Sequence, residues 1–164
     1  MAQDIKKIIA QEYLKCAKDP AYFMRKYCFI QHPTRGRILF NLYPFQEKAL
    51  HLFRDNQYII TLKSRQLGIS TLASAYSLWL MIFHKDKNVL ALATTQATAR
   101  NLVTKTMFMY DQLPKWIKLP ALEKNKLSLR LKNGSKITAK SSNADAARSE
   151  AVSLLLIDEA AFID

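Results

Sequence analysis

Two apolar runs on either side of a polar, glycine-containing loop constrain the fold of this chain more than any other feature. The runs are residues 58–62 and 72–80, and the loop is residues 63–71. This order predicts a strand, a loop and a helix, which is the context that a P-loop requires. In such a loop, backbone N–H groups at the start of the helix surround phosphate oxygens, and a hydroxyl at the end ligates magnesium. The segment therefore predicts a site for a nucleoside triphosphate.

The loop departs from the pattern G-x-x-x-x-G-K-[ST] at two of its specified positions. Lys63 stands where the first glycine belongs and Ile69 occupies the lysine position, whereas Gly68 and Ser70 are retained. Phosphate charge still requires a cation, so Lys63 or Arg65 is expected to reach the phosphates from the front of the loop. The predicted nucleotide-binding residues of the loop are Lys63, Ser64, Arg65, Gln66, Leu67, Gly68, Ile69, Ser70 and Thr71, and Ser70 is also a predicted magnesium ligand.

A second segment supplies carboxylates. Residues 154–157 are apolar, and Asp158 and Glu159 follow them directly. This pattern predicts a buried strand that delivers acids to the carboxyl edge of a sheet. Asp158 is expected to hold the magnesium ion, and Glu159, at the end of the strand, to orient the attacking water as a catalytic base.

Each segment also has a simpler interpretation. A glycine between a strand and a helix is often only a turn, and paired acids after an apolar run are often only the polar end of a strand. The two segments occur in the expected order and roughly 90 residues apart, so together they favour a nucleotide site over two unrelated features.

The charge of the chain indicates its class of partner. Its 164 residues carry 25 Lys and Arg against 13 Asp and Glu, a formal net charge of +12. Such an excess favours a polyanion as partner, and nucleic acid over a membrane, although a generally basic, solvated surface is the simpler alternative.

The longest nearly apolar run, residues 72–83, is shorter than the ~20 residues that span a bilayer, so no membrane segment is predicted. Cys16 and Cys28 are too few for a disulfide framework, which fits a reducing compartment.

The remaining patterns predict alternating strands and helices, and hence a parallel sheet. Helices are expected over residues 4–17, from Pro20 onward, and over residues 44–55, with a loop or short strand pair between the last two. Residues 89–94 read as a strand and residues 95–110 as its helix, with Ala97, Leu102, Met107 and Phe108 on the apolar face and Arg100 and Lys105 on the polar side. The dipeptide Asn133-Gly134 predicts a hairpin between residues 127–131 and 136–139.

Four segments in order resemble the ATPase domain of the large terminase subunit, the motor that packages DNA into phage heads. They are residues 43–46, 63–71, 90–96 and 148–164. The resemblance implies an α/β P-loop NTPase fold of the additional-strand, RecA-like type, with helices flanking a parallel sheet and with ATP and Mg2+ as cofactors. It divides the chain into an N-terminal helical extension, residues 1–40, and an ATPase domain, residues 41–164.

The resemblance also implies what is missing. Family members continue past the acidic strand into a coupling motif and a nuclease domain, and neither follows here. The coupling-motif strand lies between the P-loop strand and the acidic strand in such motors. The chain is therefore expected to be a fragment, with an incomplete sheet that has a gap at that place.

Further site residues come from the resemblance alone. It implies that Gln46 recognises adenine, with Tyr43 or Phe45 as a stacking partner, whereas the alternative is a helix start with an aromatic staple. It implies that Arg65 contacts phosphate as a catalytic residue. It also implies that Arg148 is a finger that reaches the nucleotide of a neighbouring subunit, although a lone loop arginine is often only solvated.

The activity that the resemblance implies is ATP hydrolysis that drives double-stranded DNA into a prohead. The implied partners are DNA, the portal protein, the small terminase subunit and further copies in a ring, in the cytoplasm of the bacterial host and transiently at the prohead portal. Two alternatives remain open. One is a helicase-like DNA translocase, and the other is a truncated module that binds nucleic acid or nucleotide without hydrolysis.

Overall fold

The computed structural model describes residues 2–142 and 151–162, which form helices, a hairpin and a five-stranded sheet. In chain order the elements are α1 (Ala2–Lys18), α2 (Pro20–Tyr27), β1 (Phe29–His32), β2 (Gly36–Leu39), α3 (Pro44–Asp55), α4 (Ile69–Phe83), β3 (Asn88–Ala93), α5 (Gln96–Asp111), β4 (Ala121–Lys124), β5 (Ser128–Leu131), β6 (Lys136–Ser141), β7 (Leu154–Ile157) and a short 3-10 helix (Ala160–Phe162).

The two N-terminal helices are joined by polar contacts, and their prediction from sequence is confirmed. The Asp19 carboxylate accepts a hydrogen bond of 2.8 Å from the backbone N–H of Ala21 and caps α2. On α1, the Glu12 carboxylate accepts hydrogen bonds from Lys26, Tyr22 and Tyr27 of α2. These donors, with Lys26 first, lower the pKa of Glu12 to about 2. α1 and α2 therefore hold each other in place while Glu12 is ionised.

The helix that follows the loop, α4, lies at the centre of the hydrophobic core. Trp79 is buried, and its indole N–H donates a 2.8 Å hydrogen bond to the carbonyl oxygen of Cys16. The ring of Phe83 packs edge-on against those of Tyr13 and Phe23, with centroid distances of 5.0 and 5.3 Å. The N-terminal helices thus share one core with α4. Across residues 2–142 and 151–162, no helix combines the length and the apolar character that crossing a membrane would need.

The cysteines belong to the same core. Cys16 and Cys28 are free thiols and fully buried. Burial raises the pKa of Cys16 to about 12 and that of Cys28 further still. Both side chains therefore serve as small apolar groups in packing.

The large sheet is mixed, so the prediction of a parallel sheet is correct only for the side formed by β6, β3 and β7. The strand order is β4-β5-β6-β3-β7, in which β3 pairs parallel with both β6 and β7. β5 pairs antiparallel with both β4 and β6, and the hairpin predicted at Asn133-Gly134 is confirmed. The Asn133 amide donates hydrogen bonds to the carbonyl oxygens of Met81 and His84, which fixes the hairpin to the end of α4. β4 carries no pattern that predicted it.

The strand predicted over residues 58–62 is wrong for this structure. These residues belong to no strand, and Ile60 is 99% exposed. In the described part of the chain, β7 is the outermost strand of the sheet and no strand pairs with its outer edge. An isolated run with strand propensity cannot form a ladder without a neighbour, because strand stability comes from cross-strand pairing. The loop that precedes α4 is therefore approached by an extended, exposed segment.

Candidate functional site

The two predicted magnesium ligands meet in space although they lie far apart in the sequence. Ser70 is in the first turn of α4. Asp158 follows β7, and its backbone N–H donates to the carbonyl oxygen of Leu92 at 3.0 Å, which extends the pairing of β7 with β3 by one residue. The Ser70 hydroxyl donates a 2.8 Å hydrogen bond to Oδ2 of Asp158. The parallel pairing of β3 and β7 thus delivers the acid to the start of α4.

The donor set at this contact fits magnesium. A hydroxyl and a carboxylate are hard oxygen ligands, and Mg2+ is typically held by one or two protein groups with waters and phosphate oxygens completing its shell. Among residues 2–142 and 151–162, no group of three or more His, Cys, Asp and Glu side chains could form a metal site. Coordination of magnesium by Ser70 and Asp158, together with a phosphate, stays a prediction that this donor set fits.

The loop before α4 encloses a polar cavity of about 270 Å³. Gly68 adopts φ +72° and Gln66 φ +64°, and these left-handed residues turn the chain into α4. The first N–H groups of α4 have no partner within the helix and make the start of the helix attractive to anions. Ser64 and Arg65 are exposed and do not line the cavity. The cavity is lined by Lys63, Gln66, Leu67, Gly68, Ile69, Ser70, Thr71 and Lys105.

Gln46 contacts this loop directly. Its side chain is 2% exposed, and its Oε1 accepts from the backbone N–H of Tyr43 at 3.0 Å. Its Nε2 donates to the carbonyl oxygen of Leu67 at 3.1 Å. Tyr43 and Phe45 stack at 5.6 Å with an interplanar angle of 7°, and both are exposed. The amide of Gln46 thus joins the start of α3 to the loop, and its role in recognising adenine remains a prediction that would require it to exchange these partners.

A substitution of Gly68 tests how tightly Gln46 holds the loop. A Cβ atom at Gly68 would lie 2.8 Å from Nε2 of Gln46 and would also require a non-glycine residue at φ +72°. Gly36 is a matched control, because it has φ +66° but a Cβ atom there would meet nothing within 4 Å. We expect Gly36→Ala to cost about 1 kcal/mol of unfolding free energy from backbone strain alone. Gly68→Ala should cost more, since Gln46 must break hydrogen bonds to make room; urea denaturation of both variants measures the difference, and equal losses would contradict this contact.

Glu159 directly follows Asp158, the predicted metal ligand, and neither acid lines the loop cavity. It is exposed, has φ +57°, and its backbone N–H donates to Oδ1 of Asp158 at 3.2 Å. Left-handed backbone at a residue other than glycine is uncommon and is found at functional sites. The role of Glu159 as the water-orienting base stays a prediction. Arg148, the predicted finger, lies outside the described residues.

Lys105 is the site residue that sequence reasoning missed. It was placed on the polar side of its helix, but in the structure it is half-buried and lines the loop cavity. Burial lowers its pKa, the charge of Lys63 lowers it further, and the charge of Asp158 opposes both. The buried residues of α5 are Ala99, Leu102, Val103, Thr106, Met109 and Tyr110, so Lys105 flanks the buried face.

Comparisons with known proteins give a family and, separately, a similar fold. The family model described as terminase large subunit, T4likevirus-type, N-terminal, matches residues 60–164, which is more than half of the chain. The fold is similar to that of the large terminase of bacteriophage HK97, with a TM-score of 0.63 at 15% sequence identity. That similarity covers 86% of this chain and 37% of the HK97 chain, so this chain spans little more than a third of that protein.

Proposed function

The chain belongs to the family of T4-type terminase large subunits, matching its N-terminal part, and on that premise we propose that it is the ATPase domain of a DNA-packaging motor. In this proposal the loop before α4 is a P-loop, and the sheet with its flanking helices is the core of a RecA-like ATPase. The single observation that carries the proposal is the 2.8 Å contact between the Ser70 hydroxyl and the Asp158 carboxylate.

That contact supports a metal-nucleotide site because it brings together a hydroxyl at a helix start and a carboxylate at a strand end. Ser70 is preceded by an anion-attracting helix start, and Asp158 is half-buried at the end of β7. A bound magnesium ion would neutralise phosphate charge as it develops during transfer. Ser70 and Asp158 would hold the ion, Lys63, which lines the cavity, would contact the phosphates, and Glu159 would orient the water.

Arg65 has a less direct place in this scheme. Its side chain is exposed and lies outside the cavity lining, so it would have to turn inward to contact a phosphate. The guanidinium group can bind two phosphate oxygens at once, which makes such a turn favourable when nucleotide is present.

The charge of the chain supports the part of the proposal that concerns DNA. A net charge of +12 favours a polyanionic partner, and contacts with the phosphate backbone carry no sequence preference. Non-specific contact is what a motor that moves along DNA requires. We propose double-stranded DNA as the translocated substrate, with the portal protein, the small terminase subunit and further copies in a ring as partners, in the cytoplasm of the bacterial host and transiently at the prohead portal.

The test of the site is magnesium-ATP binding measured by calorimetry. We expect the wild-type chain to bind, and Ser70→Ala to bind about 10- to 100-fold more weakly, because it removes a metal ligand and one partner of Asp158. Ser77→Ala is the matched control, since Ser77 is a buried serine of the same helix whose hydroxyl donates to the carbonyl oxygen of Ala73. Equal binding by both variants would contradict a metal site at Ser70.

One observation favours the alternative of a binding module without hydrolysis. Residues 58–62 are not part of the sheet, so the front of the loop lacks the strand that usually fixes it. In that case the chain would bind DNA through its basic surface, with strong salt dependence and no effect of nucleotide. A change in DNA affinity on addition of magnesium-ATP would exclude this alternative.

A further inference from the structure

The position that a P-loop usually gives to lysine holds an apolar residue in this chain. Ile69 begins α4, and its half-buried side chain packs against the hydrophobic core. The cavity beside it therefore lacks the cation that usually binds the β- and γ-phosphates from this position. Lys63 lines the cavity, but its side chain is exposed and it follows a segment that belongs to no strand. A flexible, exposed lysine loses conformational entropy when it binds.

Lys105 is held much more firmly than Lys63. Its helix, α5, packs against α4, and the buried hydroxyl of Thr106 donates to the carbonyl oxygens of Ser74 and Leu102 at 3.2 and 3.1 Å. The neighbouring side chain of Val103 is fully buried in the core. The backbone that carries Lys105 is thus fixed relative to the first turns of α4, where Ser70 lies.

Lys105 also lies between two cavities. It lines the polar cavity of about 270 Å³ beside the loop and a second, more apolar cavity of about 380 Å³. Thr71 lines both cavities as well, and the hairpin of β1 and β2 forms the far wall of the second one. A side chain at this boundary can reach an anion in the loop cavity while its methylene groups stay in apolar surroundings.

Among the residues that the structure describes, Lys105 has no carboxylate as a direct partner. Within residues 2–142 and 151–162, no carboxylate lies at salt-bridge distance from its ammonium group, although the charge of Asp158 acts on it from farther away. A half-buried ammonium without an ion pair is unfavourable. A nucleotide phosphate in the loop cavity, which Lys105 lines, would supply an anion to pair with it.

We propose that Lys105 binds the terminal phosphates of the nucleotide directly and supplies, from α5, the cation that Ile69 cannot. This inference rests on the proposed function, because it assigns a contact within the same nucleotide site. This contact would make α5 part of the phosphate site, although the P-loop sequence pattern covers only the loop and the start of α4.

Calorimetry with ATP, ADP and AMP, each with magnesium and with EDTA, tests this assignment. We expect Lys105→Ala and Lys105→Gln to weaken ATP binding by about 10- to 100-fold, the usual size for loss of a charge-assisted contact, with little effect on AMP. The loss should persist in EDTA, because the contact is with phosphate and not with the metal ligand. Arg100→Ala is the matched control, since Arg100 is an exposed cation of the same helix.

Each result separates this assignment from the proposed function. Wild-type binding with unchanged affinity in both Lys105 variants would overturn the role of Lys105 alone. A loss that disappears in EDTA would also overturn it, because Lys105 would then act only by positioning Asp158. Failure of the wild type to bind magnesium-ATP would overturn the nucleotide site and this assignment together. Melting curves without nucleotide check folding, and Lys105→Gln keeps most of the side-chain volume should the alanine variant unfold.

Discussion

Replacement of Glu159 by glutamine is expected to abolish ATP turnover while leaving magnesium-ATP binding within a few-fold of wild type. Glutamine has the same shape as glutamate but carries no charge. It can neither accept a proton from the attacking water nor orient that water by charge. Loss of a positioned base typically costs 10²- to 10⁴-fold in rate, so we expect a decrease of about that size. The measurement is phosphate release under conditions in which the wild-type protein hydrolyses ATP, with calorimetry as the check on binding.

The neighbouring acid provides the control for this prediction. Asp158 accepts the hydrogen bond from Ser70 and is the proposed metal ligand. Asp158→Asn should therefore weaken magnesium-dependent binding as well as turnover, whereas Glu159→Gln should affect turnover alone. Turnover that is retained in Glu159→Gln would contradict its role as the base. Loss of binding in Glu159→Gln would indicate that its left-handed turn shapes the site.

Replacement of Trp79 by alanine is expected to cause the largest loss of stability. The side chain is 6% exposed, stacks on Tyr76 at 5.5 Å and meets His84 edge-on at 4.9 Å. Removing a buried aromatic side chain typically costs about 3–5 kcal/mol. The same change leaves the carbonyl oxygen of Cys16 without its donor. We therefore expect Trp79→Ala to lose at least that much unfolding free energy, measured by urea denaturation.

The variant Trp79→Phe separates the two contributions. It retains an aromatic ring in the core but removes the indole N–H, so its loss should be about 1–3 kcal/mol, the usual cost of a buried unpaired polar group. Trp116 is the other tryptophan of the chain and reports unfolding by fluorescence in both variants. Equal losses in Trp79→Phe and Trp79→Ala would mean that the hydrogen bond, and not the packing, joins α1 to α4.

Several elements could be predicted because their signals are local. Pro44 marks the first residue of α3, and the helix runs to Asp55 as expected. The turn at Asn133-Gly134 places β5 and β6 in an antiparallel pair. The contact between Ser70 and Asp158 was also expected, since a P-loop helix and an acidic strand meet at the same edge of a sheet.

The predictions that were wrong concern features of the fold that only tertiary contacts determine. Residues 58–62 have the composition of a strand, but a strand forms only beside a partner, and a local pattern says nothing about whether one is present. In α5 the predicted apolar face included Ala97, which is exposed, and it omitted Thr106, which is fully buried. The hydroxyl of Thr106 is satisfied by carbonyl oxygens of helices in the core, and the sequence pattern does not reveal this. The predicted face was therefore misaligned with the buried one, and Lys105 was assigned to the polar side.

Gln46 shows a second limit of prediction from sequence. The resemblance assigned it to the base of the nucleotide, and the residue type alone could not show that both ends of its amide already have partners. The amide of Gln46 can hydrogen-bond either to the backbone at the start of α3 or to a ligand. The structure thus shows a competition for its hydrogen bonds that the sequence alone does not reveal.

The separation of Ser70 and Asp158 by 88 residues also determines when their contact can form during translation. Ribosomes add about 5–20 residues per second, so roughly 4 to 18 seconds pass between the synthesis of the serine and that of the acid. During that interval the loop and α4 exist without their carboxylate. In the described part of the chain, the strand that carries Asp158 pairs with β3, which has by then been made. A nascent chain therefore cannot form this contact until its sheet has received β7.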